Sequence, residues 1–296
     1  MKKFNGTGVA LVTPFRKEGE VDYSALEKLV EFQIQNGVNY LVVQGTTGES
    51  VTLTDQEKIS VLEFVIEINK ERLPIVLGIG GNNTSSVIEQ IHQFSNYKID
   101  GILSVSPYYN KPSQEGIYAH YKALSKASSL PIILYNVPGR TSSNISPDTT
   151  LKLANECENI VAIKEASGNL EQIMQIILYK PDGFLVISGD DALTLPHLAI
   201  GGDGVISVVA NAFPKRFSTM VSSILKGDLD LAKQKHYELF EIIKYLFADG
   251  NPGGIKYVLK LINICEDNMR LPLVNINEKT ANKLYELVAS IDDTLV

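Results

Sequence analysis

Short apolar runs recur along the first two-thirds of the chain, with polar segments between them. Eight of these runs begin at residues 9, 40, 75, 101, 132, 160, 184 and 204. The runs are continuous rather than alternating with polar residues, which is typical of strands buried on both faces, as in a parallel sheet. The pattern therefore predicts eight buried strands, of which the first spans 9–12.

The segments between these runs carry the signals of helices. Asp22 is a candidate N-cap for a helix with a leucine-rich face that stops at Gly37. Thr54 and Glu57 have the spacing of a capping box. A serine and a proline at 146–147 are typical of a helix start. Each predicted strand is therefore followed by a predicted helix.

Eight such repeats predict an α/β fold, a (β/α)₈ TIM barrel. The competing architecture is an open doubly wound sheet. That fold would normally have fewer strands and a glycine-rich nucleotide turn after the first strand, whereas here the first run is followed by Thr13, Pro14 and Phe15. We therefore favour the barrel.

The last part of the chain contains no further strand pattern. A helix around 214–225 completes the final repeat, and the segments 228–248, 254–264 and 277–291 have helical patterns. We predict a catalytic barrel over 1–225 and a small C-terminal all-helical extension over 226–296. Because no linker rich in Pro, Gly or Ser separates the two, we expect the extension to pack on the barrel.

Composition and charge exclude several classes of protein. The 296 residues are 44% hydrophobic and 21% charged, which excludes a disordered or fibrous chain. The net charge of −7 argues against nucleic acid or an anionic membrane as a partner. The apolar runs are far shorter than a membrane span or a signal h-region requires. With only Cys157 and Cys265, a reducing cytoplasm is the expected location.

Active sites of such barrels lie at the carboxyl ends of the strands, which directs attention to Lys164 at the end of the sixth run. Desolvation there would favour a free amine, the form that attacks a carbonyl to make a Schiff base. The alternative is an ion pair between Lys164 and Glu165 or another acid. Tyr135 and Tyr109 are candidate proton donors, or ordinary packing residues.

Candidate carboxylate binders follow two other runs. Thr46 and Thr47 lie in a glycine-bounded turn that can hold a small carboxylate, or that simply caps a helix. Arg140 follows a Pro-Gly turn and can bind a second carboxylate bidentately, or be a solvated surface side chain. The four histidines are scattered, so no zinc site is expected.

These motifs resemble the dihydrodipicolinate synthase and N-acetylneuraminate lyase family of class I aldolase-type barrels, over nearly the whole chain. The wider family shares the Gly-Thr-Thr-Gly-Glu stretch at 45–49 and Lys164. The tyrosine pair at 108–109 and the segment from Tyr135 to Arg140 are typical of its synthase branch. The resemblance implies condensation of pyruvate with L-aspartate 4-semialdehyde in diaminopimelate and lysine biosynthesis, with no metal or organic cofactor.

The resemblance also implies roles for individual residues. Lys164 would form the imine with pyruvate, and Tyr135 would exchange protons during imine formation and enamine attack. Thr46 and Thr47 would hold the pyruvate carboxylate, helped by the backbone near two further positions. Those two positions are Gly189 and Ile206.

A relay and a subunit contact are implied as well. Thr47 would link Tyr135 to Tyr109, and the tyrosine equivalent to Tyr109 crosses a tight dimer interface in the family. Arg140 would bind the carboxylate of the aldehyde substrate. We therefore expect a homodimer, or a tetramer built as a dimer of dimers, in which two subunits complete each site.

One part of the pattern departs from the feedback-inhibited members of the family, which bind lysine at the dimer interface. Asn82 and Tyr108 match that site, and Ser50 adjoins it. Three other positions do not match, namely Ser86 in place of a glutamate and Asp55 and Lys58 in place of histidines. Without the acid, the lysine ammonium lacks its counter-charge, so we expect weak or absent inhibition by lysine.

Two other functions compete with the synthase reaction. One is another pyruvate-dependent aldolase of the family, such as N-acetylneuraminate lyase or a 2-keto-3-deoxy sugar acid aldolase. Arg140 argues against it, because an unpaired guanidinium in a neutral-sugar pocket is costly. The other is a barrel that has lost catalysis, which the joint presence of Lys164, Tyr135 and Arg140 disfavours.

Overall fold

The computed structural model describes residues 2–291. Eight parallel strands pair in sequence order and the last pairs with the first, so the barrel is closed. The strands are β1 (Gly6–Ala10), β2 (Tyr40–Val43), β3 (Ile75–Gly78), β4 (Gly101–Val105), β5 (Ile132–Asn136), β6 (Ile160–Glu165), β7 (Leu185–Ser188) and β8 (Gly204–Ser207). The predicted (β/α)₈ barrel is confirmed.

Helices follow the strands and cover the outside of the barrel. They are α1 (Tyr23–Gln35), α2 (Asp55–Asn69), α3 (Thr84–Phe94), α4 (Gln114–Ala127), α5 (Pro138–Thr141), α6 (Pro147–Glu156), α7 (Leu170–Tyr179), α8 (Thr194–Ala199) and α9 (Pro214–Leu225). The predicted caps are present: Asp22 accepts from the Ala25 amide, and Thr54 and Glu57 make both bonds of a capping box.

The first strand begins three residues before the predicted run and ends at Ala10. Gly6 and Gly8 pair with β8, and Gly8 also faces Tyr40 of β2. A Cβ on Gly8 would lie 2.3 Å from the Tyr40 ring, so only glycine leaves room for that ring inside the barrel. The two glycines remove the apolar signal from this half of the strand.

Two layers of apolar side chains form the core. An inner cluster fills the barrel and includes Tyr40, Val42, Val76, Leu103, Ile133, Ala162, Ile187 and Ile206. A larger cluster lies between the strands and the surrounding helices. The alternation of strand side chains between these two layers explains why the strands are apolar on both faces.

Three further helices follow the barrel: α10 (Leu229–Leu246), α11 (Gly253–Leu261) and α12 (Glu278–Ala289). Helix α11 ends earlier than the predicted 264, because Asn263 adopts a left-handed backbone with φ of +58°. Leu239, Ile242 and Val258 belong to the same core cluster as the barrel helices, so the extension packs on the barrel as expected. The division into two domains at 225/226 stays a prediction.

The state of the two cysteines and the apolar character of the helices were also predicted from the sequence. Cys157 and Cys265 are both buried and neither forms a disulfide. Across the described residues, none of the helices has the length and apolar character needed to cross a bilayer.

Candidate active site

A cavity of about 420 Å³ opens at the carboxyl ends of the strands. It brings together predicted residues from the ends of four strands. They are Thr46 and Thr47 after β2, Tyr135 in β5, Arg140 after β5, Lys164 in β6 and Gly189 after β7. Their convergence follows from the parallel barrel, in which all strands end on one face. This is the candidate active site.

Lys164 points into this cavity and is only 6% exposed. It pairs in register with Tyr135, and its Nζ lies 4.3 Å from the centre of the Tyr135 ring. Within residues 2–291, Lys164 makes no ion pair and no side-chain hydrogen bond. The amine and the phenol therefore form the centre of the site.

The predicted alternative for Lys164, an ion pair with Glu165, does not form. Successive residues of a strand point to opposite faces, so Glu165 points away from the cavity. Its carboxylate accepts from Asn136 Nδ2 at 3.1 Å, from Gln172 Nε2 at 2.8 Å and from the Ser167 amide at 2.7 Å. Burial raises the pKa of Glu165 against the opposing effect of these donors.

Gly189 makes room for the Lys164 side chain. A Cβ at this position would lie 3.0 Å from Lys164 Cε and 2.8 Å from Ala166 Cβ. The predicted position Ile206 is not on the cavity wall. Its side chain is buried in the inner barrel cluster, and Val208, the first residue after β8, lines the wall instead.

The turn at 45–49 contains a short 3₁₀ segment, Thr46–Gly48, and a second one, Ser50–Thr52, follows directly after Glu49. Glu49 has a left-handed backbone with φ of +50°. Thr46 is exposed on the cavity wall. Thr47 is buried, and its Oγ1 accepts a hydrogen bond from Asn251 Nδ2 at 3.0 Å. The two threonines therefore have different surroundings.

A second cavity, of about 500 Å³, adjoins the first, and Thr46, Tyr135 and Arg140 line both. Arg140 lies on the short helix α5, is exposed, and makes no ion pair within the described part of the chain. Its guanidinium is thus available to an anionic ligand.

The second cavity also contains part of the predicted regulatory site. Ser50, Lys58 and Tyr108 line it, and Asn82 Nδ2 donates to the Tyr108 carbonyl at 3.2 Å. No acidic residue is among the described residues of its wall. Lys58 pairs with Asp55 at 3.2 Å, and Ser86 is exposed.

Tyr109 lies outside both cavities of its own chain. Its side chain is 88% exposed. The Asn110 amide donates to the Tyr108 carbonyl at 2.8 Å, which closes a three-residue turn with Tyr109 at φ of +71°. The structure of one chain therefore does not bring Tyr109 to Tyr135 or Lys164.

The cavity wall also contains residues that had no predicted role, among them Asp191, Phe247 and Asn251. Asp191 is buried and accepts from Ser207 Oγ and from the Val208 amide, and burial raises its pKa to about 6. Phe247 and Asn251 come from the C-terminal extension. Asp191 is the third residue after β7, and this position after a strand is a usable sequence signal, whereas the extension residues carry none.

Among residues 2–291, no group of three or more His, Cys, Asp or Glu side chains is arranged to hold a metal ion. That a metal is not required stays a prediction.

Comparison with known proteins places this site in a family. The profile of the Dihydrodipicolinate synthetase family matches residues 3–291. The chain belongs to that family. It is 52% identical to the 4-hydroxy-tetrahydrodipicolinate synthase of Parabacteroides distasonis, over 97% of this chain and 96% of the relative. The corresponding enzyme of Flavobacterium psychrophilum is 51% identical, over 96% and 97%.

A solved structure agrees with this assignment. The crystal structure of dihydrodipicolinate synthase from Aquifex aeolicus superposes with a TM-score of 0.94 at 43% identity, and 97% of each chain is covered. The predicted family is therefore confirmed, and with it an enzyme of the lyase type.

Proposed function

We propose that this chain has 4-hydroxy-tetrahydrodipicolinate synthase activity and condenses pyruvate with L-aspartate 4-semialdehyde in diaminopimelate and lysine biosynthesis. The observation that carries the proposal is the Lys164 amine, which is buried beside Tyr135 and has no ion-pair partner within residues 2–291. An amine nucleophile must be unprotonated, and an ion-paired lysine keeps its proton.

The reaction follows from this amine. Lys164 Nζ attacks the carbonyl carbon of pyruvate, and loss of water leaves an imine. Removal of a proton from the methyl carbon gives an enamine, whose carbon forms a bond to the aldehyde carbon of the second substrate. Tyr135 is the phenol nearest to Lys164 in the cavity, so we assign it the proton transfers.

Two carboxylates have to be bound, one from each substrate. Thr46 and Thr47 lie in the turn that faces the amine and supply donors for the pyruvate carboxylate. Backbone groups near Gly189 and Ile206 are assigned to the same substrate. Arg140, whose guanidinium has no ion-pair partner among residues 2–291, lies on the wall shared by both cavities and is assigned to the aldehyde substrate.

For the hydroxyl that relays protons between tyrosines, we propose Thr46 in place of Thr47. Thr46 shares the wall of the second cavity with Tyr135 and Tyr108, and Thr47 does not line that cavity. The oxygen of Thr47 is already the acceptor for Asn251. Thr47 then acts only on the pyruvate carboxylate.

We propose that Tyr109 completes the relay in a neighbouring subunit. Its ring is 88% exposed, next in the chain to Tyr108 of the second cavity, on a tight turn outside its own site. A homodimer, alone or within a tetramer, would bury this ring. Tyr109→Phe should lose activity but remain a dimer. Steady-state rates measure the first effect and sedimentation the second, and a wild type that sediments as a monomer would contradict the proposal.

We also propose that lysine inhibits this protein weakly or not at all, and that the protein is cytoplasmic. The wall of the second cavity has cationic Lys58 and no acid among its described residues, which disfavours the ammonium of lysine. Initial rates across millimolar lysine should therefore change little. A cytoplasmic location, expected from the cysteine content, fits two buried and unpaired thiols.

Borohydride trapping tests the proposed function. Pyruvate and borohydride together should add one reduced pyruvate to the wild type, located at Lys164 by peptide mass spectrometry. Lys164→Ala should show no adduct, and Lys226→Ala, which changes an exposed lysine, should react like the wild type. A wild type that stays unmodified would rule out the imine mechanism.

The second substrate is tested by a product assay. L-aspartate 4-semialdehyde should be consumed with pyruvate, and N-acetylmannosamine, the acceptor of a neuraminate lyase, should not. Turnover of the sugar in preference to the semialdehyde would contradict the synthase function and favour the other aldolase reaction of the family.

A further inference from the structure

The C-terminal extension contributes directly to the candidate active site. Phe247 and Asn251 lie in the connection between α10 and α11 and form part of the cavity wall. Asn251 Nδ2 donates to Thr47 Oγ1 at 3.0 Å. The two residues are 204 positions apart. The extension thus contacts the turn that we assign to the pyruvate carboxylate.

This hydrogen bond determines what the Thr47 hydroxyl can do. A hydroxyl has one proton to donate and lone pairs to accept. Asn251 occupies the accepting side, and no described residue accepts the proton. The proton is therefore left for an acceptor in the cavity, as a carboxylate oxygen would be.

A second contact from the extension holds the other end of the same turn. Lys256 on α11 forms an ion pair with Glu49, and both side chains are fully buried. Lys256 Nζ also donates to the Asn268 carbonyl at 2.9 Å and lies 4.2 Å from the centre of the Phe15 ring. The Arg270 amide donates to the other carboxylate oxygen of Glu49 at 3.3 Å.

Within the turn at 45–49, Glu49 is also the residue with a left-handed backbone. Its φ of +50° lies in the left-handed region, which residues other than glycine seldom adopt. The buried pair with Lys256 holds Glu49 in that conformation. The 3₁₀ segment that carries Thr46 and Thr47 ends at Glu49, and the next segment, Ser50–Thr52, begins after it.

We infer that Asn251 and Lys256 are positioning residues for pyruvate, by which the C-terminal extension orients the Thr47 hydroxyl and holds the turn at 45–49. Asn251 acts on the proton of Thr47, and Lys256 acts on the backbone through Glu49. The inference rests on the proposed function, since it assigns the pyruvate carboxylate to this turn.

Asn251→Ala tests the first contact. The pyruvate concentration that half-saturates borohydride trapping should rise about tenfold, while the KM for L-aspartate 4-semialdehyde stays within about twofold. Asn251→Asp keeps the shape but turns the donor into an anionic acceptor, which takes the Thr47 proton and repels pyruvate. It should therefore be worse than alanine. Rescue by aspartate would indicate a space-filling role and overturn the inference.

A double-mutant cycle separates this role from general loosening of the fold. Because Asn251 acts through Thr47, Asn251→Ala should have no further effect on trapping in a Thr47→Val background. Independent effects that multiply in the double variant would contradict the inference. A wild type that pyruvate does not label would instead remove the proposed function itself, so the two failures are distinguishable.

The ion pair needs a variant that removes both charges. Lys256→Met alone leaves a buried carboxylate without a partner and is expected to fold poorly, so the test uses Glu49→Gln with Lys256→Met. That double variant should keep the circular dichroism of the folded barrel and require about fivefold more pyruvate for half-maximal trapping. Trapping identical to the wild type would show that the pair does not position the turn.

Discussion

Two loops line the candidate active site, and different parts of the chain hold each of them in place. The turn at 45–49 depends on Asn251 and Lys256, which are more than 200 residues away along the chain. The loop at 137–145, which carries Arg140, is held by side chains of the two neighbouring strands and the helix after them.

The loop at 137–145 rests on a buried polar network. Asn136 Nδ2 donates to Asn144 Oδ1 at 2.8 Å and to Glu165, and Asn136 Oδ1 accepts from the Ile145 amide at 2.9 Å. Gln172 Nε2 donates to Glu165, and Gln172 Oε1 accepts from Asn144. Both ends of the loop are thereby tied to β5, β6 and α7.

The two loops are therefore expected to bind different substrates and to be supported independently. The loop with Arg140 is complete once two adjacent βα units have formed. The turn with Thr46 and Thr47 is complete only after the C-terminal extension has docked. Changes near Arg140 should therefore affect the aldehyde substrate, and changes in the extension should affect pyruvate.

Arg140→Ala should give the largest effect of the variants on either loop. It removes a bidentate, charge-assisted contact with the second carboxylate, and kcat/KM for L-aspartate 4-semialdehyde should fall on the order of 500-fold. Pyruvate trapping should remain at the wild-type level, because the turn at 45–49 is untouched. Arg140→Lys, which keeps the charge but loses the fork, should recover only part of the loss. Equal loss for both substrates would contradict the separation.

The two threonines of the turn offer a matched pair of variants. Thr46→Val should lower kcat about 100-fold, because it removes the proposed proton relay. It should raise the pyruvate needed for half-maximal trapping only slightly, because the Thr47 hydroxyl still binds the carboxylate. Thr47→Val should instead raise the pyruvate needed for half-maximal trapping about tenfold. Steady-state kinetics and trapping on both variants decide the assignment, and the reverse result would return the relay to Thr47.

Gln172→Met breaks the network under the Arg140 loop at similar side-chain volume. It leaves Glu165 and Asn144 each without one partner, which should lower the free energy of unfolding by about 1–3 kcal/mol. The KM for the semialdehyde should rise about fivefold with pyruvate trapping unchanged, the opposite of Asn251→Ala. Denaturant unfolding and two-substrate kinetics measure both effects. A shift in pyruvate trapping would show that the two loops are coupled.

The smallest expected effects are on the pH dependence of stability, where the two regions should have opposite signs. Near the turn, Arg270 donates to Glu57 at 2.8 Å and lowers the pKa of that carboxyl to about 2. This contribution is present above the ordinary carboxyl pKa and is lost as pH falls towards 2. In the network, burial raises the pKa of Glu165, so stability there falls as pH rises through the raised value.

Two identical substitutions test these signs. The stability difference between wild type and Glu57→Gln should grow from pH 2 to about 4.5 and then stay level, by about 1 kcal/mol because the pair is partly solvated. The difference between wild type and Glu165→Gln should shrink as pH rises above about 4.5. Urea unfolding at matched pH values measures both differences, and parallel trends would refute the contrast.

Much of the fold could be predicted because its signals are local. The capping box of Thr54 and Glu57 and the N-cap of Asp22 act over three residues, and both are formed. The predicted start of strand β1 was three residues too late, because its pairing uses Gly6 and Gly8 and glycine carries no hydrophobic signal. Most of the site was predictable for a related reason, since a parallel barrel brings all strand ends to one face.

The sequence by itself therefore determined the barrel and the position of Lys164, Tyr135 and Arg140 at or after strand ends, because periodicity and strand-end position are properties of neighbouring residues. The family followed from the resemblance of its motifs. Only the tertiary structure decided that Lys256 pairs with Glu49, that Asn251 donates to Thr47, and that Tyr109 lies outside its own site. Such contacts join side chains up to about 200 positions apart, and no period or spacing along the chain encodes them.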